Sequence, residues 1–273
     1  MSDFLTQMSH ESARRAHDTR EKALRTDLEG RVERALPPMT LDLVNPGFDV
    51  IAEAKLASPS EGSLVAGSTG TGTVLDLARE YAGAGAVAVS VLTEETRFHG
   101  HLAHLEAVSR EVQVPVMRKD FLVDPIQVLE ARAAGASGVL LVARMLPGGL
   151  LAEMTDLALA HGMFALVEVF DRADLEMAAR VFDREVLVGV NCRDLATLHL
   201  EPSRFPALAP HLPDHLPTVA ESGMATSDEV AAVAALGYRL ALVGSSLVSD
   251  PDPASKLRGL IEAGRRALTG IAT

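Results

Sequence analysis

A single cysteine, Cys192, leaves no partner for an internal disulfide and too few thiolates for a cysteine metal cluster, which fits a reducing, cytoplasmic compartment. Tryptophan is absent, and aromatic residues make up only 4% of the 273. A core with so few rings must be built from Ala, Val and Leu, which suits closely packed helices and strands in an α/β architecture. No apolar run approaches the ~20 residues of a membrane span. The N-terminal stretch has no apolar signal region, and its 7 basic residues through Leu36 are matched by 7 acidic ones, unlike a transit peptide. Basic residues are outnumbered overall, 25 to 37, and no basic stripe interrupts the net charge of −12. Nucleic acid and anionic membrane are therefore excluded as expected partners, and an anionic substrate would need a local positive site. Lysine is also scarce: of the 25 cations only Lys22, Lys55, Lys119 and Lys256 are lysines. Lys55 and Lys119 stand in apolar, strand-like surroundings, where an ammonium group can have its pKa tuned and a guanidinium cannot.

From Asp49 onward a pattern repeats. Short Val/Leu/Ile-rich runs at 49–53, 86–92, 114–118, 138–143, 164–169, 186–191, 217–220 and 240–244 predict strands. Helix-like segments at 73–83, 101–112, 124–134, 150–161, 171–182, 226–236 and 253–268 lie between them, and Pro202, Pro206 and Pro210 limit 201–210 to a turn or two. Eight strands alternating with helices predict a (β/α)8 TIM barrel over 49–273. A doubly wound sheet would carry a Gly-rich turn after its first strand, and Ser58-Pro59-Ser60 is not one. Residues 1–48 read as an N-terminal helical extension packing on the barrel. Leu24, Leu28, Val32 and Leu36 supply its apolar spacing, and Pro37-Pro38 its end.

Active sites of such barrels lie at the C-terminal strand ends, and these ends are strongly polar here. The first strand carries Glu53 and Lys55, two residues apart and therefore on one face. The third ends in Arg118-Lys119-Asp120-Phe121, the fifth in Glu168-Val169, the sixth in Asn191-Cys192-Arg193, the seventh in Glu221-Ser222-Gly223 and the eighth in Gly244-Ser245. Burial is expected to lower the pKa of Lys119 toward a proton donor's range and to raise that of Glu168 toward a base's. Gly223, Gly244 and Ser245 occupy the usual phosphate-binding position on this fold. Cys192 reads as a small apolar residue, since no histidine stands near it to activate a thiol. His99, His101 and His104 read as solvated surface rather than metal ligands, and no metal site is expected.

The motifs Ile51-Ala52-Glu53 with Lys55 and Ser58-Pro59-Ser60, Ser90-Val91-Leu92-Thr93, Arg118-Lys119-Asp120-Phe121, Val167-Glu168-Val169, Gly189-Val190-Asn191 with Arg193-Asp194-Leu195, Glu221-Ser222-Gly223 and Val243-Gly244-Ser245-Ser246-Leu247 follow in order. In this series the chain resembles the indole-3-glycerol-phosphate synthase family of tryptophan biosynthesis. The resemblance implies a carboxy-lyase, needing no cofactor, that closes the indole ring of 1-(2-carboxyphenylamino)-1-deoxyribulose 5-phosphate with loss of CO2 and water. It implies Lys119 as general acid, Lys55 as a second donor or carboxylate partner, and Glu168 as base, with Glu53 and Asn191 positioning it. Arg193 would meet the benzoate carboxylate, Glu221 and Ser222 the ribulose, and Phe98 and Phe121 the aromatic ring. Ser58 would line the substrate, and Gly223, Gly244 and Ser245 would hold the phosphate.

The first loop departs from the family's basic character, having Leu56, Ala57 and Glu61. Two further readings stay open at this level: a paralogous phosphate-binding barrel with altered substrate, and a non-catalytic sensor of a phosphorylated ligand. In either case the expected partner is a small phosphorylated molecule, and the expected state a monomer or weak homo-oligomer.

Overall fold

The computed structural model describes residues 3–44, 47–59, 62–64 and 70–271. Glu61 and Ser60 of the first loop lie outside these. Two helices come first, α1 (Asp3–Thr26) and α2 (Leu28–Arg34). Asp27 breaks them apart with a left-handed backbone (φ 49°), and its side chain accepts from Gly30 N–H to cap α2. Leu28 and Val32 are buried as the spacing predicts, but Leu36 lies beyond the helix and is exposed. The stripe that α1 buries is instead Leu5, Met8, Ser12 and Ala16, spaced by three and four residues.

Eight parallel strands follow: β1 (Asp49–Ala54), β2 (Ala88–Leu92), β3 (Val116–Lys119), β4 (Gly138–Val142), β5 (Phe164–Val169), β6 (Leu187–Asn191), β7 (Thr218–Glu221) and β8 (Leu240–Val243). Each pairs with the next, and β8 pairs with β1, closing a (β/α)8 barrel. The outer helices are α3 (Thr71–Gly83), α4 (Leu102–Glu111), α5 (Pro125–Ala133), α6 (Leu150–Ala160), α7 (Arg172–Ala178), α8 (Arg204–Leu208), α9 (Ser227–Ala235), a short α10 (Ser245–Val248) and α11 (Pro253–Ile271). The first loop is not wholly irregular: Ala57–Ser58 pairs antiparallel with Gly62–Ser63, and Leu56 and Ala57 are buried.

The period-two alternation of strands sorts the core into two layers. Val50, Ala52, Val89, Val91, Ala165, Val167, Val188, Val190 and Ala241 face outward and pack against helices. Ile51, Met117, Leu140, Leu166, Leu187, Val219, Leu240 and Leu242 face inward and fill the barrel. The inward series continues upward along each strand, and there it turns polar.

Candidate active site

Two residues beyond Ile51, Met117, Leu166, Leu187 and Val219 on their own strands stand Glu53, Lys119, Glu168, Gly189 and Glu221. The same parity that fills the barrel therefore aims these groups into its mouth. Asn191 is reached by one further step of two, and Arg118, out of phase with Lys119, points away to meet Glu130 and Asp120. A cavity of about 400 Å³ opens over this layer. Every residue assigned a catalytic, substrate-binding or phosphate-binding position from the sequence lines it: Glu53, Lys55, Ser58, Phe98, Lys119, Phe121, Glu168, Asn191, Arg193, Glu221, Ser222, Gly223, Gly244 and Ser245.

Two charge clusters share the cavity floor. Lys55 Nζ lies 2.8 Å from Glu53 Oε1, and Lys119 Nζ lies 3.6 Å from Glu168 and 3.7 Å from Glu221. Burial works against the carboxylate of Glu53, but Lys55, Lys119 and Arg193 together hold its pKa below the usual range. Lys119 contradicts its sequence expectation. Burial does oppose its charge, yet the three carboxylates of Glu168, Glu221 and Glu53 outweigh that and hold its pKa above the ordinary lysine value. The group pushed out of the normal carboxylate range is Glu221, raised by burial and by the neighbouring Glu168, with Lys119 only partly offsetting them. Lys55, Lys119 and Arg193 line the mouth together with Glu53, Glu168 and Glu221, so three cations converge on one cavity inside a protein of net −12. These three are the local cations that an anionic ligand requires.

The sign of this perturbation yields a stability prediction. A carboxyl whose folded pKa lies above its unfolded one contributes stability below the unfolded pKa of about 4.3 and loses it as pH rises toward the folded value. Glu221→Gln removes the titration, so its thermal midpoint should exceed that of the wild type at pH 7 and converge with it near pH 4. Melting curves across this window check it; a wild-type advantage at pH 7 would contradict the raised Glu221.

Several residues that complete the site were not singled out from the sequence. Gly189 is one: a Cβ placed there would stand 2.0 Å from Glu221 Oε1 and 3.0 Å from Leu166 Cδ1. Gly189→Ala should therefore displace the Glu221 carboxyl, lower kcat about tenfold or more and cost about 1–3 kcal/mol. Turnover and urea denaturation measure the two effects. Gly244 is required for the same reason, since a Cβ would fall 2.3 Å from Glu53 Oε1. Phe4 of α1 also lines the cavity and packs edge-on against Phe121 at 5.8 Å, while Phe98 lies 6.2 Å from Phe121. Its sequence signal was the Phe4-Leu5-Met8 start of the α1 stripe. Glu94, fully buried, fixes Phe98 by accepting from the backbone N–H groups of Thr96 (2.9 Å), Arg97 (2.7 Å) and Phe98 (3.2 Å).

At the opposite wall Ser222 and Gly223 are consecutive left-handed residues, with φ of 67° and 70°. A positive φ at serine is an uncommon conformation, and it turns the chain sharply at the end of β7. Beneath them Cys192 is buried, its Sγ donates to Ser222 O at 3.4 Å, and burial pushes its thiol up to about 11. It packs as a neutral small side chain. Helix α10 starts beside this turn at Ser245, and a helix start presents backbone N–H groups to an anion.

The histidines divide. His99 and His101 are exposed, but His104 is buried on the inner face of α4 with Leu105 and Val108, where burial lowers its pKa. His101 Nδ1 caps α4 by accepting from Ala103 N–H. Among the described residues no cluster of three or more His, Cys, Asp or Glu side chains is arranged to hold a metal ion. No helix among them is long and apolar enough to cross a membrane.

The family model for indole-3-glycerol phosphate synthase matches residues 10–260. Proteins of that name from Mycobacterium sp. (strain KMS) and Mycobacterium avium (strain 104) are each 42% identical, over 241 and 257 residues. The first alignment covers 88% of this chain and 86% of the relative, the second 92% and 91%. Another, from Rhodococcus jostii (strain RHA1), is 43% identical over 238 residues, covering 84% and 85%. Among solved structures, 3-hexulose-6-phosphate synthase from Salmonella typhimurium aligns with a TM-score of 0.60 at 14% identity, over 82% of this chain and 99% of that one. Monomers of phosphoribosylanthranilate isomerase from Thermotoga maritima align at 0.54 and 14%, over 80% and 98%. These two likenesses concern the fold alone. A family match over most of the length, with identities above 40% across most of each relative, establishes that this chain belongs to the indole-3-glycerol phosphate synthase family.

Proposed function

We propose that the cavity binds 1-(2-carboxyphenylamino)-1-deoxyribulose 5-phosphate and closes its indole ring, with Lys119 as acid and Glu168 as base. The chain is an indole-3-glycerol-phosphate synthase, a carboxy-lyase of tryptophan biosynthesis acting on a phosphorylated small molecule. The observation that carries the assignment of roles is the placement of Lys119 between Glu168 and Glu221 at the floor of a cavity with one aromatic wall. The aminobenzoate ring fits against Phe4, Phe98 and Phe121, and its carboxylate is met by Arg193 and Lys55. Gly223, Gly244 and Ser245 take the phosphate, and Ser222 and Glu221 the ribulose hydroxyls.

Ring closure forms a C–C bond from the aromatic carbon to the ribulose carbonyl, whose oxygen gains negative charge. Lys119 meets that charge as a fixed cation and then gives up a proton. Its firm hold on the proton does not block the transfer, because an alkoxide is a stronger base than a lysine amine. Departure of CO2 returns an electron pair to the ring. The new hydroxyl then leaves as water, with Glu168 removing a proton and Lys55 supplying one to the leaving oxygen. Glu53 holds Lys55 at 2.8 Å for this step. No cofactor enters the scheme, since each step moves only protons and electron pairs within the substrate.

Residues 1–48 act in this reading as an extension that seals the barrel of 49–273, and every group needed comes from one chain. That suits a cytoplasmic enzyme active as a monomer or a weak homo-oligomer. The test is direct: purified protein given the carboxyphenylamino substrate, without added cofactor, should generate indole fluorescence. Binding without turnover would overturn the reading in favour of a sensor.

A further inference from the structure

Arg204, the first residue of α8, makes contacts that the proposed chemistry does not use. Its Nη1 donates to the backbone carbonyl of Asn191 at 2.7 Å, and its Nη2 to Glu201 Oε2 at 2.9 Å. The guanidinium carbon also lies 5.9 Å from the ring centroid of Phe170, a ring that Arg144 approaches to 4.6 Å. Arg144 is itself anchored, by Asp174 at 2.7 Å and Asp171 at 2.6 Å. Phe170 is buried two residues beyond Glu168, and Asn191 ends β6. Arg204 thus bridges the ends of the two strands that carry the base and the asparagine beside it.

The Asn191 side chain is held too, because its Oδ1 accepts from Arg193 N–H at 2.9 Å. With both of its oxygens engaged, the Nδ2 donors, which have no partner among the described residues, are left for the cavity. The pair with Glu201 explains less, since Glu201 is half exposed and exposed ion pairs contribute little. A guanidinium on a backbone carbonyl, packed over a buried ring, instead fixes geometry.

We propose that Arg204 is a positioning residue for ring closure: it locks the β6 end so that Asn191 keeps its orientation relative to Glu168. This rests on the reaction proposed above. The experiment measures turnover, and the 15N resonances of the Asn191 side-chain amide, in the full-length protein. Arg204→Met should lower kcat about 10- to 30-fold, the scale of a small misplacement at a reacting centre, with KM changed less than threefold. It should also shift the Asn191 amide resonances, while Arg204→Lys recovers part of the loss and Glu201→Gln stays within about twofold of wild type. In an Asn191→Ala background, Arg204→Met should add less than about twofold, because the group it orients is gone. An equal loss in that background, unmoved Asn191 resonances, or unfolding of both Arg204 variants would each overturn the proposal. An active wild type with an unchanged Arg204→Met sinks this inference alone, whereas an inactive wild type sinks the reaction and the inference with it.

Discussion

Lys119→Ala is expected to lower kcat by about three orders of magnitude, since it removes a proton donor and a charge aimed at the developing alkoxide, each worth about 10²–10³ by itself and less than their product when one group supplies both. The two contributions separate in Lys119→Arg. Guanidinium keeps the charge but cannot release a proton near neutrality, so that variant should remain at least about 10² below wild type. Stability changes with a definite sign as well. The folded pKa of Lys119 lies above its unfolded value, so its contribution is complete below about pH 10.4 and is lost only as pH rises through the folded value. Without it, Glu168 and Glu221 face each other buried, and ionising them costs folding energy. Lys119→Ala should therefore be least stable at alkaline pH and approach wild type as the carboxyls protonate. Urea midpoints from pH 5 to 9 measure this. Wild-type-like turnover in a folded Lys119→Ala would refute the assigned acid.

The barrel and the inward-facing charges were legible because both follow from period two. Counting along Asp49–Ala54 places Glu53 with Ile51, and along Val116–Lys119 places Lys119 with Met117, before any tertiary contact is known. What could not be read was the balance among groups from different strands. Lys119 alone reads as a desolvated amine with a depressed pKa; only the convergence of β1, β5 and β7 supplies the three carboxylates that reverse the sign. The same limit hid Gly189, whose lack of a side chain matters only because Glu221 of the neighbouring strand leans over it. The apolar spacing at 24–36 falls mainly on α2, whereas the stripe that α1 buries is Leu5, Met8, Ser12 and Ala16. Ser12 breaks the apolar pattern of that stripe, yet it is buried because Gln127 donates to its hydroxyl at 2.9 Å.

That bond belongs to a polar seam whose disruption is expected to have the largest effect on stability. Asp120, next to Lys119, has a fully buried carboxylate that accepts from Arg15 (2.8 Å), Thr93 (2.8 Å), Arg118 (3.2 Å) and its neighbour Phe121 N–H (2.8 Å). Arg118 continues the seam to Glu130 at 2.8 Å, and Thr19 of α1 donates to that same Glu130 at 2.9 Å. Asp120→Ala would leave two guanidinium groups largely shielded from water with one carboxylate fewer between them, a loss of about 3–5 kcal/mol. The damage should be localised before it is global. Arg15 is one of the bonds from α1 to the barrel, so its release loosens the helix that places Phe4 in the cavity wall. Trypsin should then cut within α1 faster than in wild type, under conditions where the barrel stays folded. KM should rise with it, because the aromatic wall loses Phe4 and the Phe121 backbone loses its acceptor. An unchanged urea midpoint together with an unchanged cleavage rate would mean that α1 is held by its apolar stripe and by its bonds to Gln127 and Glu130, and that Asp120 serves only to neutralise the buried guanidinium groups beside it.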